Sequence, residues 1–303
     1  MKTSRALALS TDCNGRFVYL DPYRGAQLAV AEASRNVACA GGQPIGATNC
    51  LNFANAQRPE IMWQFARAVE GMGDACRALG IPITGGNVSL YNETDGKGVL
   101  PTPVLGVVGL IENADRVVRR AFQSAGDVVM LLGESRDELG GSEYLKTMHG
   151  LIRGEAPSLD LAREAALQRV LVEGAANGIV RSAHDCAEGG LAVTIAESCF
   201  DSSLGVEVEL KSVRTLEAWR TVATLFGESA SRAVVSVSPE HVDRLLAMAA
   251  AVNLPAARIG IVGGDRIRVS VDGGRIVDES LATAELIWST AIENYFERVR
   301  AVA

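Results

Sequence analysis

The chain has no CxxC pair, and its three histidines (His149, His184 and His241) are scattered. A zinc centre is therefore not expected. No apolar run approaches the roughly 18 residues that a membrane-spanning helix needs. Met1–Ser10 has basic residues but no sustained apolar core, so the sequence shows no secretory leader. Positive charge is scarce: 29 Lys and Arg stand against 36 Asp and Glu, for a net charge of −7. That balance argues against a broad nucleic-acid footprint but leaves room for a small pocket that takes a phosphorylated metabolite. Low-complexity segments and short internal repeats are missing too. The six cysteines include several among apolar neighbours and read as small buried hydrophobes. Reduced thiols without an export signal point to the cytoplasm.

What is present is a folded chain of 303 residues, 48% hydrophobic and 21% charged, long enough for two domains. A basic, weakly periodic segment at Arg116–Gly126 divides it into 1–120 and 121–303. In the first part, strands are expected at Ala6–Ser10, Phe17–Leu20, Ile45–Phe53, Ile81–Ile83 and Pro103–Ile111. The Asn14-Gly15 pair between the first two reads as a hairpin corner. Ala26, Ala29, Val30, Ala33 and Val37 recur at helical spacing, and a second helix runs from Arg58-Pro59 to Leu79. The second part opens on a buried strand at Asp127–Gly133. Helices at Leu159–Ala176 and Leu191–Cys199 follow, with strands at Leu204–Leu210 and Ala233–Val237. One long amphipathic helix carrying Leu286, Ile287, Ile292 and Phe296 closes the chain. Alternating strands and helices define an α/β (α+β) fold class.

The most informative stretch is Thr84-Gly85-Gly86-Asn87-Val88-Ser89-Leu90-Tyr91-Asn92-Glu93. It reads as a loop leaving the Ile81–Ile83 strand. Main-chain N–H groups at a Gly-Gly turn can form an anion-binding nest, and the side-chain oxygens suit a hard cation such as Mg²⁺. The bland alternative is a polar turn. Asp12 and Arg16, in the turn after the first strand, are a second candidate phosphate loop. Asp185 and Glu188 precede Gly189-Gly190 and a helix, where free N–H groups favour an anion and the carboxylates suit Mg²⁺. Either acid also reads as an ordinary helix cap. Asn49 and Asn52, polar within an apolar strand, either satisfy nearby main chain or line a cleft.

Several segments together carry a resemblance. They are Thr11-Asp12-Cys13-Asn14-Gly15-Arg16, Leu20-Asp21-Pro22-Tyr23, Thr48-Asn49-Cys50-Leu51-Asn52-Phe53, Pro59–Phe65 and the Gly85–Glu93 stretch. His184-Asp185, Glu188–Leu191 and Gly227-Glu228-Ser229 add to it. Over nearly its whole length the chain resembles the second half of the PurL synthetase subunit of phosphoribosylformylglycinamidine synthase, in the PurM-like (AIR synthetase) superfamily. The resemblance implies an AIR synthetase N-terminal-like domain with a dimer-forming sheet, followed by a C-terminal-like domain. It implies ATP-dependent conversion of formylglycinamide ribonucleotide, with glutamine-derived ammonia, to formylglycinamidine ribonucleotide. It also implies ATP and Mg²⁺ as cofactors. The implied partners are the N-terminal half of the synthetase, a glutaminase subunit (PurQ) and a small bridging subunit (PurS), and a homodimer when the chain is alone.

Residue by residue, Asn49 and Gly86 match ATP-contacting positions, Asn87 a metal position and Ser89 a substrate position. No catalytic residue is expected in this chain, because the family's catalytic groups lie in the other half. Asn49 stands where aspartate is usual, Ala54 where glycine is, and Ala230 where glutamine is common beside Glu228 and Ser229. Met1-Lys2-Thr3 reads as a start given to a fragment, expected to be inactive by itself. Two alternatives are a stand-alone PurM-type synthetase working as a homodimer and a non-catalytic nucleotide-binding half.

Overall fold

Small and β-branched residues sort the chain into two units, each a sheet with helices packed on it. The computed structural model describes residues 3–302, with side chains through Phe296; Met1 and Lys2 of the start motif lie outside the described residues. The first unit runs β1 (Ala6–Asp12), α1 (Gly15–Leu20), α2 (Pro22–Cys39), β2 (Gln43–Asn52), α3 (Pro59–Leu79) and β3 (Ile83–Ser89). A short hairpin follows, β4 (Glu93–Thr94) and β5 (Lys97–Gly98), and then β6 (Thr102–Ile111). Its sheet has the order β1-β6-β2-β3. β6 is antiparallel to β1 and β2, and β2 is parallel to β3. The carboxyl ends of β1, β2 and β3 therefore share one side of the unit.

β6 shows why one face is covered. Its residues alternate, with Leu105 and Val107 buried between neighbours that are only half-buried. The buried set packs on Ala26, Ala29, Ala33 and Val37 of α2 and on Ala68 and Met72 of α3. Small residues let the helices come close: a Cβ at Gly71 would strike the Tyr23 main chain. Gly80, at φ 67°, ends α3 in the left-handed conformation. Among the described residues no helix packs on the opposite face. There Leu7, Leu9 and Ile45 point outward, Leu9 with 74% of its surface exposed.

The second unit adds β7 (Val128–Leu132), α4 (Glu143–His149), α5 (Leu161–Ala176), β8 (Val180–Asp185), α6 (Gly190–Cys199) and β9 (Val206–Leu210). It continues through α7 (Arg220–Phe226), β10 (Ala233–Val237), α8 (Val242–Ala251), β11 (Ala256–Val262), β12 (Arg266–Val271), β13 (Gly274–Ser280), α9 (Leu281–Ser289) and α10 (Ala291–Val302). Its seven-stranded sheet has the order β13-β12-β9-β11-β7-β10-β8. α5 and α8 bury Leu167, Leu171 and Leu245 on one face. α6, α7 and α9 bury Leu191, Ile195, Leu225 and Leu281 on the other. β7 is buried along its whole length, as its continuous apolar run requires.

Three expectations are corrected. Phe17–Leu20 is helix, not strand. The Asn14 side chain accepts from the Arg16 and Phe17 N–H groups, so Asn-Gly serves as a helix start rather than a hairpin corner. Gly85–Ser89 is strand β3, not a loop, because the β2 main chain offers it a parallel ladder despite the weak β-propensity of glycine. The closing helix breaks at Thr290 into α9 and α10.

Buried polar contacts fasten the units together. Arg35 of α2 donates to Glu164 of α5 at 2.9 Å, and both side chains are almost fully enclosed. Gln168 of α5 donates to Ser34 of α2 at 2.8 Å.

Candidate functional site at the edge of the first sheet

β3 is an edge strand, so one side of its main chain pairs with β2 and the other is free for a ligand. The register sets Asn49 beside Gly86, Cys50 beside Asn87 and Asn52 beside Ser89. Side chains alternate across a strand, so these pairs fall on two faces. Asn49 and Gly86 share the helix-covered side, where the Asn49 amide reaches Met72 Sδ at 3.6 Å. A Cβ on residue 86 would collide with the Asn49 side-chain and main-chain oxygens, so only glycine fits there without displacement. Asn87 is exposed and Ser89 half-buried on the open side, next to exposed Cys50. The four site residues inferred from sequence thus lie along one edge, two to a face. Only a ligand that wraps over the edge touches both pairs.

The chain leaving β3 is tightly held. Tyr91 N–H donates to Ala54 O at 3.1 Å and Asn92 N–H to Phe53 O at 3.2 Å. The Asn92 amide also donates to Phe53 O at 3.0 Å and to Ser89 O at 2.8 Å, and its Oδ1 accepts from Ser89 Oγ at 3.1 Å. Tyr91 is held at φ 64° with its ring exposed, a conformation a bulky residue keeps only when its surroundings fix it. A hard divalent cation takes six or more oxygen ligands. Asn87 offers one neutral oxygen, and among the described residues no group of three or more His, Cys, Asp or Glu is placed to hold a metal. Asn87 would supply at most one oxygen of such a shell, and no acidic cluster among the described residues would supply the rest.

Asp12, Arg16, Asp185 and Glu188 occupy a different place, the junction of the two units. Asp12 accepts from Asn36 at 2.9 Å and Ser10 at 2.8 Å; burial raises its pKa above these opposing bonds. Glu32 is pushed well up, first by burial and then by the nearby Glu188, Asp185 and Asp12. Burial also works against the Asp185 carboxylate, yet the His184 hydrogen bond and Arg35 outweigh it and hold Asp185 below the usual range. Arg35 lies 3.6 Å from it. Glu188 accepts from Asn14 at 3.1 Å. Arg16 donates to Gly141 O at 2.9 Å and pairs with Glu143 at 2.8 Å. His184 is held by Glu197 at 2.8 Å. Burial opposes its charge, but bonds to Asp185 and Glu197 raise its pKa to about 9.

A carboxyl group of the protein's own already sits at the N-terminus of α6. Glu228 accepts from Gly189 N–H and from Glu143 N–H, each at 2.8 Å. The cap position of this helix is Gly189, whose N–H is taken by Glu228 rather than by Asp185 or Glu188, and spacing gave no sign of it. Burial lifts Glu228 to about 7, against the two N–H donors. Ser229 is buried and bonds to the Arg136 main chain. Sequence reasoning also missed Asn92 as an anchor and the Arg35–Glu164 tie. A cleft of about 910 Å³ along the paired strands β9 and β11 includes Lys211 and Arg258 and shares no residue with either cluster.

Residues 1–111 match the AIR synthase related protein N-terminal domain and residues 124–272 the AIR synthase related protein C-terminal domain. With both domains in order on the sheets just described, the chain belongs to the AIR synthase-related family. Within that family it is similar to the phosphoribosylformylglycinamidine synthase subunit PurL. It is 50% identical to the Anaeromyxobacter dehalogenans (strain 2CP-C) protein over 270 residues, which is 88% of this chain but 36% of that one. Two structures of Thermotoga maritima PurL share its fold at 20% identity, each covering 93% of this chain. The FGAR complex has a TM-score of 0.79 and is covered over 46% of its length; the ATP complex has 0.75 and 44%. PurLQS from the same organism also matches, with a TM-score of 0.75 at 19% identity, over 93% of this chain and 45% of that one. The chain thus spans less than half the length of these proteins. Among the described residues no helix is long and apolar enough to cross a membrane.

Proposed function

We propose that this chain forms one wall of the ATP and substrate site of a phosphoribosylformylglycinamidine synthase. The observation that carries the reading is the edge strand Ile83–Ser89, which presents Gly86 and Asn87 on opposite faces beside the carboxyl end of β2. In this reading Asn49 and Gly86 contact ATP, Asn87 gives one oxygen to Mg²⁺, and Ser89 contacts formylglycinamide ribonucleotide. ATP furnishes the phosphoryl group that turns the amide oxygen into a leaving group, and ammonia then displaces phosphate. Phosphoryl transfer depends on positioning and charge neutralisation; the edge strand positions, and the neutralising groups come from a second wall. That wall belongs to a homologous half, laid over the open face bearing Leu7, Leu9 and Ile45. PurQ and PurS deliver ammonia to the assembled enzyme in the cytoplasm. Residues 1–120 and 121–303 act as the two domains. In the absence of the other half, a second copy of this chain covers the open face.

The test is amidine formation from formylglycinamide ribonucleotide, ATP, Mg²⁺ and ammonia. The chain alone is expected to give none. Mixed with the portion of a PurL that precedes the matched segment, it is expected to turn over, and Asn87→Ala in that mixture to lower kcat by about 10²-fold or more. Turnover by the chain alone, or indifference to Asn87→Ala, contradicts the reading.

A further inference from the structure

We infer that Asn92 is a positioning residue that turns Ser89 into a hydrogen-bond acceptor. Ser89 then reads an N–H or O–H donor on the neutral part of the substrate, not a phosphate oxygen. The inference rests on the proposed role of Ser89 as a substrate contact.

The argument is one of hydrogen-bond polarity. An asparagine amide has two donor hydrogens on Nδ2 and acceptor lone pairs on Oδ1. Here Nδ2 lies 3.0 Å from Phe53 O and 2.8 Å from Ser89 O, both carbonyls that can only accept. Both donor hydrogens are committed, and the opposite flip of the amide would set oxygen against oxygen twice. Oδ1 must therefore face Ser89 Oγ, 3.1 Å away, and it can only accept there. The Ser89 hydroxyl proton is spent on Asn92. What Ser89 shows the open side of the edge strand is a pair of lone pairs. Such a group repels a phosphoryl oxygen and attracts a donor. The main chain keeps the geometry from relaxing, because Phe53 N–H donates to Ser89 O at 3.0 Å and Val99 N–H to Asn92 O at 3.0 Å. Formylglycinamide ribonucleotide carries amide N–H groups and ribose hydroxyls, and either class satisfies the acceptor.

The test uses the assembly that forms amidine, with kinetics for the substrate and competitive inhibition constants for two analogues, so that the comparison reads binding and not the reactivity of the altered group. One analogue replaces the reacting amide N–H by an ester oxygen; the other removes a ribose hydroxyl. Ser89→Ala is expected to raise KM for the substrate about 10-fold while KM for ATP stays unchanged. Asn92→Ala should do the same, and the double variant should be no worse than either single one. The wild type should discriminate about 10-fold against one analogue, which identifies the donor, and Ser89→Ala should lose that discrimination. In Asn92→Ala the freed hydroxyl can donate, so discrimination should relax there too. An unchanged KM for ATP and an unfolding midpoint near that of the wild type guard against simple misfolding of the alanine variant. Additive losses, an equal effect on ATP, or wild-type indifference to both analogues would overturn the inference while leaving the proposed function intact. Failure of the wild-type assembly to make amidine would overturn both.

Discussion

Glycine at position 86 shows how one hydrogen in place of a methyl group shapes the site. A Cβ there would meet the Asn49 oxygens, so Gly86→Ala must push Asn49 aside or bend the edge strand. Overpacking of this kind costs about 1–3 kcal/mol, expected as a lower urea midpoint together with weaker binding of an ATP analogue. Glu228 makes a second case. Its pKa of about 7 lies above the ordinary 4.5, so between those values the folded chain binds more protons than the unfolded one. Stability should fall as pH rises through that window and level off above it, by on the order of 3 kcal/mol. Glu188 raises and Arg16 lowers the same group. Glu228→Gln keeps an oxygen for the Gly189 and Glu143 N–H donors and loses the titration. Unfolding free energies measured from pH 5 to pH 8 should therefore slope less in Glu228→Gln than in wild type. An unchanged slope would remove Glu228 from the account.

At the scale of elements, the tie between α2 and α5 sets how the two units sit together. The Arg35 and Glu164 side chains are almost fully enclosed, out of reach of bulk solvent. Removing one leaves an uncompensated buried charge, at a cost of about 3–5 kcal/mol. Arg35→Met is expected to show that loss in denaturant unfolding, and adding Glu164→Leu to recover part of it, since an apolar pair fills the same space. Elements were also where the sequence was most and least legible. The long helices α2, α3 and α5 followed from apolar periodicity, and β6 from its continuous apolar run. β3 was hidden because glycine, asparagine and serine are poor strand formers; a main-chain ladder donated by β2 decides its conformation. α1 was hidden because Asn-Gly serves a hairpin and a helix cap alike, and only the Asn14 side-chain bonds distinguish them. Motif resemblance named the Asn49–Ser89 group, and the register brings its members near one another. Its division between two faces was not legible, since that follows from register. The bond from the Gly189 N–H at the start of α6 to Glu228 joins residues far apart in sequence, which no local pattern encodes.

For the whole molecule, the open face of the first sheet is the feature that a lone chain leaves uncovered. Leu7, Leu9 and Ile45 are more exposed there than a solvated sheet face warrants. Self-association is expected at micromolar concentration. Leu9→Glu should shift sedimentation toward monomer, and labelling of the exposed Cys50 thiol should slow as the dimer forms; monomer at high concentration would count against it. The central claim is narrower: the strand from Ile83 to Ser89 lines the ligand site. Hydrogen–deuterium exchange on the amidine-forming assembly, with and without a non-hydrolysable ATP analogue, Mg²⁺ and formylglycinamide ribonucleotide, tests it most directly. Ligand-dependent protection should appear in 83–92 and 48–53, with little change in 184–190. Protection confined to 184–190, or to the cleft along β9 and β11, would contradict it.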